Sequence, residues 1–204
     1  MKRLLLLILP LSLACQPHSS TTDANKIDSN TTTLTNPKTD VVDTSKKINL
    51  EYLDWKLATI NNQIPVFCKK AGLIELLGRP DSLVTPNMND ICVSFFEKDL
   101  KFLYYGESQF ETSGDSAVIS SIHFDNNSKI KLNIGTIVLD NTMTLTKLAS
   151  LYPNAVQLKE EATIDNGEKV ILVRIACSKI LSDDSWVLLF KDGKLIRLDY
   201  WMPC

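Results

Sequence analysis

Hydrolytic chemistry needs a base, and of the two histidines in this sequence only His123 stands in a patterned stretch, SSIHFD, between Ser121 and Asp125. Ser, His and Asp are the types that a nucleophile, its base and the group orienting that base require. Residues two apart on a strand share one face, a spacing too rigid for the three to act in turn. His123 therefore reads as an exposed strand histidine, and His18, in a polar run, needs no metal role. Paired carboxylates can serve as acid and base. The candidates Glu160-Glu161 and Asp183-Asp184 lie in polar stretches between apolar runs, where charged pairs are ordinarily solvated. Signatures of the GxSxG, Walker A, GxGxxG and HExxH kinds do not occur.

Cysteine carries the remaining chemistry. Apart from Cys15, the chain has Cys68, Cys92, Cys177 and Cys204, with no CxxC spacing. An even number in an exported protein reads as two disulfides, and the scarcity of histidine argues against zinc. Cys177 ends one apolar run and Cys204 follows another two runs later, which places both at one end of a meander. The expected bridges are Cys177–Cys204 and, from the remaining two, Cys68–Cys92. No metal and no cofactor is expected.

The N-terminus gives the address. Lys2 and Arg3 precede an apolar run, Leu4 to Leu13, which is half of what a membrane span requires and has the anatomy of a secretory signal. Leu11-Ser12-Leu13-Ala14-Cys15 resembles a bacterial lipobox. That resemblance implies cleavage after residue 14 and acylation of Cys15. With Gln at position 16, the sorting rule of Gram-negative lipoproteins implies the outer membrane, facing the periplasm. Residues 16–46 hold twelve Ser or Thr and no aromatic residue. Such a stretch buries too little apolar surface to fold and reads as a disordered tether, about 30 Å in mean span. Membrane contact is then expected through the lipid alone. A formal net charge of −2 without a basic block argues against nucleic acid.

Residues 47–204 form the expected globular domain, with possible halves 47–139 and 140–204. Glu51–Ile60 and Val66–Leu77 read as helices; Gly78 and Pro80 stop the second. Ile91–Gly106 reads as a hairpin turning at Lys98-Asp99. Val118–Gly135 reads as another, turning at Asn126-Asn127. Thr144 is placed to cap a helix with Leu145, Leu148 and Leu151 on one face, stopped by Pro153. Lys169–Cys177, Trp186–Phe190 and Lys194–Trp201 read as strands, the last two joined by Asp192-Gly193. The fold class is α+β: an antiparallel meander with two or three short helices on one face, and the helix-then-strands order hints at a tandem repeat.

Leu76 to Asp81, a short helix ending in Leu-Gly-Arg-Pro-Asp before a meander, resembles the helix-plus-sheet module of small outer-membrane-assembly lipoproteins and β-lactamase inhibitor proteins. The resemblance implies a binding role without catalysis.

In the last hairpin, pairing Phe190 with Leu195 and Leu189 with Ile196 puts Val187, Leu189, Ile196, Leu198 and Tyr200 on the core face. Trp186, Phe190, Arg197 and Trp201 then share the other face and read as a protein-binding patch, since Trp and Arg dominate binding hot spots. The function these residues suggest is a non-enzymatic envelope lipoprotein that binds another envelope protein. A divergent periplasmic hydrolase using carboxylates and a purely structural lipoprotein are the alternatives.

Overall fold

Positive-φ residues mark where this chain turns. A computed structural model describes residues 50–126, 128–164, 167–180 and 182–204. The signal segment 1–14, Cys15, the tether 16–46 and the turn residue Asn127 lie outside them. After a 3-10 turn at Trp55–Leu57, capped by the Asp54 carboxylate, come β1 (Ala58–Ile60), β2 (Ile64–Pro65), β3 (Phe67–Lys69), α1 (Lys70–Leu77) and β4 (Ser82–Val84). Then follow β5 (Lys101–Tyr105), β6 (Ser108–Ser113), β7 (Ser116–His123), β8 (Leu132–Ile134) and β9 (Ile137–Leu139). The chain continues through α2 (Leu145–Leu151), α3 (Pro153–Gln157), β10 (Glu160–Thr163), β11 (Lys169–Ala176), β12 (Ser185–Lys191) and β13 (Lys194–Trp201).

The large sheet runs β10-β11-β12-β13-β7-β6-β5-β4, and β3 pairs with the start of β7 while β13 pairs with its end. A small sheet, β2-β1-β8-β9, packs with the helices against one face. The core between the layers includes Leu53, Ile60, Leu132 and Leu139 from one side and Phe110, Ile122, Trp186 and Leu198 from the other. Leu73, Leu148 and Val156 bring the three helices into that same core. Burying each such side chain contributes about 1.5–3 kcal/mol. The α+β class therefore holds.

Several elements differ from the sequence expectations, each for a local reason. Glu51–Ile60 is not a helix. Tyr52 bridges Ala176, Leu53 N–H donates to the Ala176 carbonyl, and β1 ends in a turn with Asn61 and Asn62 at φ 52° and 57°. β-branched Thr59 and Ile60 before two left-handed asparagines favour a strand end over a helix. The Val66–Leu77 helix shortens to α1, because Phe67–Lys69 pair with β7. The Lys98-Asp99 hairpin does not form. Residues 85–99 instead make an irregular strap with a single 3-10 turn at Met88–Asp90. β5 pairs with β6 across Gly106 (φ 59°), and β6 with β7 across Gly114 (φ 55°). Glycine adopts these left-handed turns without steric cost.

Nor do residues 118–135 form a hairpin. β7 and β8 belong to different sheets, because Phe124 N–H leaves along β13 and donates to the Ile196 carbonyl. Pro153 starts α3 at its first turn rather than simply ending α2, a position where its missing N–H costs nothing.

Other signals hold. Gly78 ends α1 at φ 86°, Thr144 Oγ1 accepts from Lys147 N–H at 3.1 Å, and Asp192-Gly193 turns at φ 50° and 74°. The described residues from 50 to 204 cluster as one unit, and strands from both halves meet where β7 lies beside β13.

Candidate functional site

A single extra residue decides which side chains β13 presents to solvent. Phe190 pairs with Leu195, as the turn dictates, but Leu189 then pairs with Arg197, leaving Ile196 as a bulge. Side chains alternate along a strand, so one inserted residue flips every later position to the opposite face. Leu198 and Tyr200 stand opposite Leu188 and Trp186, facing the core; Arg197, Asp199 and Trp201 stand opposite Leu189, Val187 and Ser185, facing out.

The expected patch therefore splits. Trp186 and Phe190 are core residues, 0% and 1% exposed, and the Trp186 indole N–H donates to the Leu53 carbonyl at 2.8 Å. They are not part of a surface. Arg197 and Trp201 do reach the outer face, where Trp201 keeps 41% of its area exposed.

The register adds residues that the hairpin alone did not show. Leu172 and Arg174 of β11 pair with Leu189 and Val187. The Arg174 guanidinium carbon lies 5.0 Å above the centre of the Trp201 ring, a cation–π arrangement worth about 0.5–1 kcal/mol at an exposed site. Val170, Val187 and Leu189 form a thin second apolar layer with Ala162, Ile164, Leu172 and Ile196. A groove of about 310 Å3 runs over this layer, lined by Leu172, Arg174, Leu189, Arg197 and Trp201 among others. The one signal for Arg174 was its being the lone interior charge in the apolar run VILVRIAC.

A polar band borders the groove. Asp199 Oδ1 accepts from Arg197 Nε and from Ser121 Oγ, each at 2.7 Å. On the next stretch His123 Nδ1 lies 2.8 Å from Glu107 Oε2. Ser121 and His123 thus turn to different carboxylates, rather than to each other as a nucleophile and base must. Burial, and next the Arg197 charge, lower the His123 pKa, with Glu107 and Asp199 opposing. The imidazole borders a cleft of about 280 Å3 shared with Arg79, Asp81 and Lys129.

The paired carboxylates do not converge. Glu160 and Glu161 are exposed and point to opposite faces of β10, opposite Leu172 and Ile171. Asp184 accepts a hydrogen bond from the Tyr200 hydroxyl. Burial works against the charged Asp184 carboxylate, yet hydrogen bonds from Ser182, Tyr200 and Cys177 hold its pKa below the usual value.

The cysteine pairing also needs correction. The disulfide joins Cys92 to Cys204, with Cα atoms 5.5 Å apart, and Cys68 and Cys177 are free thiols. The strap carries Cys92 to the end of β13, where Cys204 follows Trp201. Cys177 points inward instead: its thiol donates to the Asp184 carbonyl at 3.6 Å and receives the Tyr200 hydroxyl at 3.7 Å. Burial raises the pKa of both free thiols, which favours the protonated form. Among the described residues no group of three or more His, Cys, Asp or Glu is placed to hold a metal ion.

No protein-family model, curated protein or solved structure matches this chain.

Proposed function

We propose that this chain is a non-enzymatic, lipid-anchored envelope protein that binds another envelope protein through the outer face of β11–β13. The observation that carries the reading is Trp201, partly exposed beneath Arg174 and beside an open apolar groove. An aromatic ring and a guanidinium bring large area at low entropic cost and keep a polar handle, the combination binding hot spots favour. The guanidinium of Arg174 rests on a ring, so its N–H donors remain available to a carboxylate. The partner segment this suits carries an apolar side chain for the groove and an acidic one for Arg174. Cys15 supplies the anchor and residues 16–46 the reach. The paired substitutions Arg174→Ala and Trp201→Ala test the reading: they abolish capture of the envelope partner by the full-length chain while the protein still melts cooperatively, with Tm lowered by less than about 6 °C. Undiminished capture by the double variant contradicts it.

A further inference from the structure

The strap covers part of the large sheet that the candidate binding face does not include. Across β4, β5, β6, β7 and β3, the register places Val84, Phe102, Glu111, Val118 and Phe67 in one row on one face. Cross-strand partners share a face, so this row is apolar except for Glu111 at its centre. Glu111 and Val118 are nonetheless 5% and 1% exposed. The strap provides the cover. Ser94 Oγ and Phe95 N–H donate to Glu111 Oε2 at 2.7 and 2.8 Å, and the Phe96 ring lies 5.9 Å from that of Phe67. Phe95 reaches Tyr200, with ring centroids 5.0 Å apart.

Most of this cover is held from outside regular structure. Apart from the 3-10 turn at Met88–Asp90, the strap contributes no helix or strand, so it lacks the ladder of backbone bonds that fixes its neighbours. One covalent bond, Cys92–Cys204, pins its middle to the C-terminal end of the chain, and both half-cystines are exposed. Regions with few ladder bonds open at low free energy while the rest of a fold stays closed.

We propose that the Cys92–Cys204 disulfide is a reducible latch, and that a dithiol reductant opens the strap from an otherwise folded domain. A thiolate of the reductant attacks one sulfur of the bridge, forming a mixed disulfide and expelling the other cysteine as a thiolate, which takes up a proton. The second thiol of the reductant then attacks the mixed disulfide, releases the second cysteine and leaves the reductant oxidised. Two electrons and two protons pass from the dithiol to the protein. With the latch open, the remaining ties are the contacts to Glu111, Phe67 and Tyr200 and the hydrogen bond from Ser113 Oγ to the Lys98 carbonyl at 2.8 Å. Opening leaves Phe102 and Val118 uncovered and widens the exposure of Phe67, which is 43% exposed with the strap in place.

Hydrogen exchange followed by mass spectrometry on the full-length chain, with and without dithiothreitol, tests this. Differential alkylation verifies that Cys92 and Cys204 are the thiols released. Exchange over residues 91–99 should speed up at least about tenfold, which corresponds to about 1.4 kcal/mol, while β11, β12 and β13 keep their protection and near-ultraviolet circular dichroism is retained. A hydrophobic dye should bind the reduced form more strongly. The double variant Cys92→Ser with Cys204→Ser should match reduced wild type and ignore dithiothreitol. If that variant fails to fold, acute reduction of wild type decides alone. Equal strap protection in both redox states overturns the latch. Loss of protection throughout the sheet on reduction also overturns it, because the bond is then a staple of the whole fold.

Discussion

Trp186 and Trp201 lie fifteen positions apart, on partnered strands, yet the bulge at Ile196 sends them to opposite faces, and their substitution should show it. Trp186→Phe keeps a ring in the core but removes the indole N–H that satisfies the buried Leu53 carbonyl at 2.8 Å. Leaving that acceptor unpaired costs about 1–3 kcal/mol. The void left by the smaller ring adds about 1 kcal/mol, for a loss of roughly 2–4 kcal/mol in total. Trp201→Ala is the harsher change chemically, but it acts on a partly exposed ring whose defined contact is the Arg174 guanidinium. Its cost is the cation–π term of about 0.5–1 kcal/mol and some apolar contact, below about 1.5 kcal/mol. In a domain of this size each kcal/mol moves Tm by about 2–4 °C. The milder substitution should therefore lower Tm by roughly 4–16 °C, and the harsher one by less than about 6 °C. Thermal melts give the Tm shifts and urea titrations the free-energy losses, both read by far-ultraviolet circular dichroism without relying on tryptophan fluorescence. Were Trp201→Ala to cost as much as Trp186→Phe or more, the bulged register of β13 and the outward face built on it would be wrong.

Cys15→Ser should move the protein from the membrane fraction to the soluble periplasm, whereas unchanged sedimentation with membranes would remove the anchor from the account. Thr144→Ala should cost about 1 kcal/mol in a denaturant titration, because it leaves the Lys147 N–H at the start of α2 without its cap. His123 has a lowered pKa in the folded state, so the unfolded chain binds its proton more readily. Stability should then fall as pH drops through about 6.5, the ordinary histidine value, and His123→Gln should flatten that step.

The sequence made legible those elements whose signals are local. Asp192-Gly193 can form a tight left-handed turn in any context, and Thr144 caps whatever helix follows it. The unbroken apolar run that became β12, and the β-branched and aromatic stretches with isolated charges that became β11 and β13, read as strands on their own composition. What failed depended on partners distant in the chain. Phe67–Lys69 sit in a helix-compatible stretch, yet a place beside β7 was open to them. The segment Ile91–Asp99 alternates like a strand. Its alternation serves a strap instead, with Ser94 and Phe95 meeting Glu111 and Cys92 meeting Cys204.

The same limit shaped the candidate site. Strand alternation is right residue by residue only until a bulge, and Ile196 carries no residue-type signature that announces one. Two of the four patch residues, Arg197 and Trp201, survived on the outer face, while Arg174 became visible only once β11 was laid beside β12. For the cysteines, counting favoured two bridges. Burial of Cys177 against Tyr200 and Asp184 left one.

Site-specific photo-crosslinking in intact cells tests the binding role most directly. A photoreactive side chain replaces Leu172, at the edge of the groove beside Arg174, in the full-length chain, and the control carries it at the exposed Lys147 of α2. One discrete crosslinked envelope protein is expected from position 172, absent from position 147 and lost when Arg174→Ala and Trp201→Ala are added. A crosslink pattern at position 172 that matches the control, or that survives those two substitutions, would contradict it.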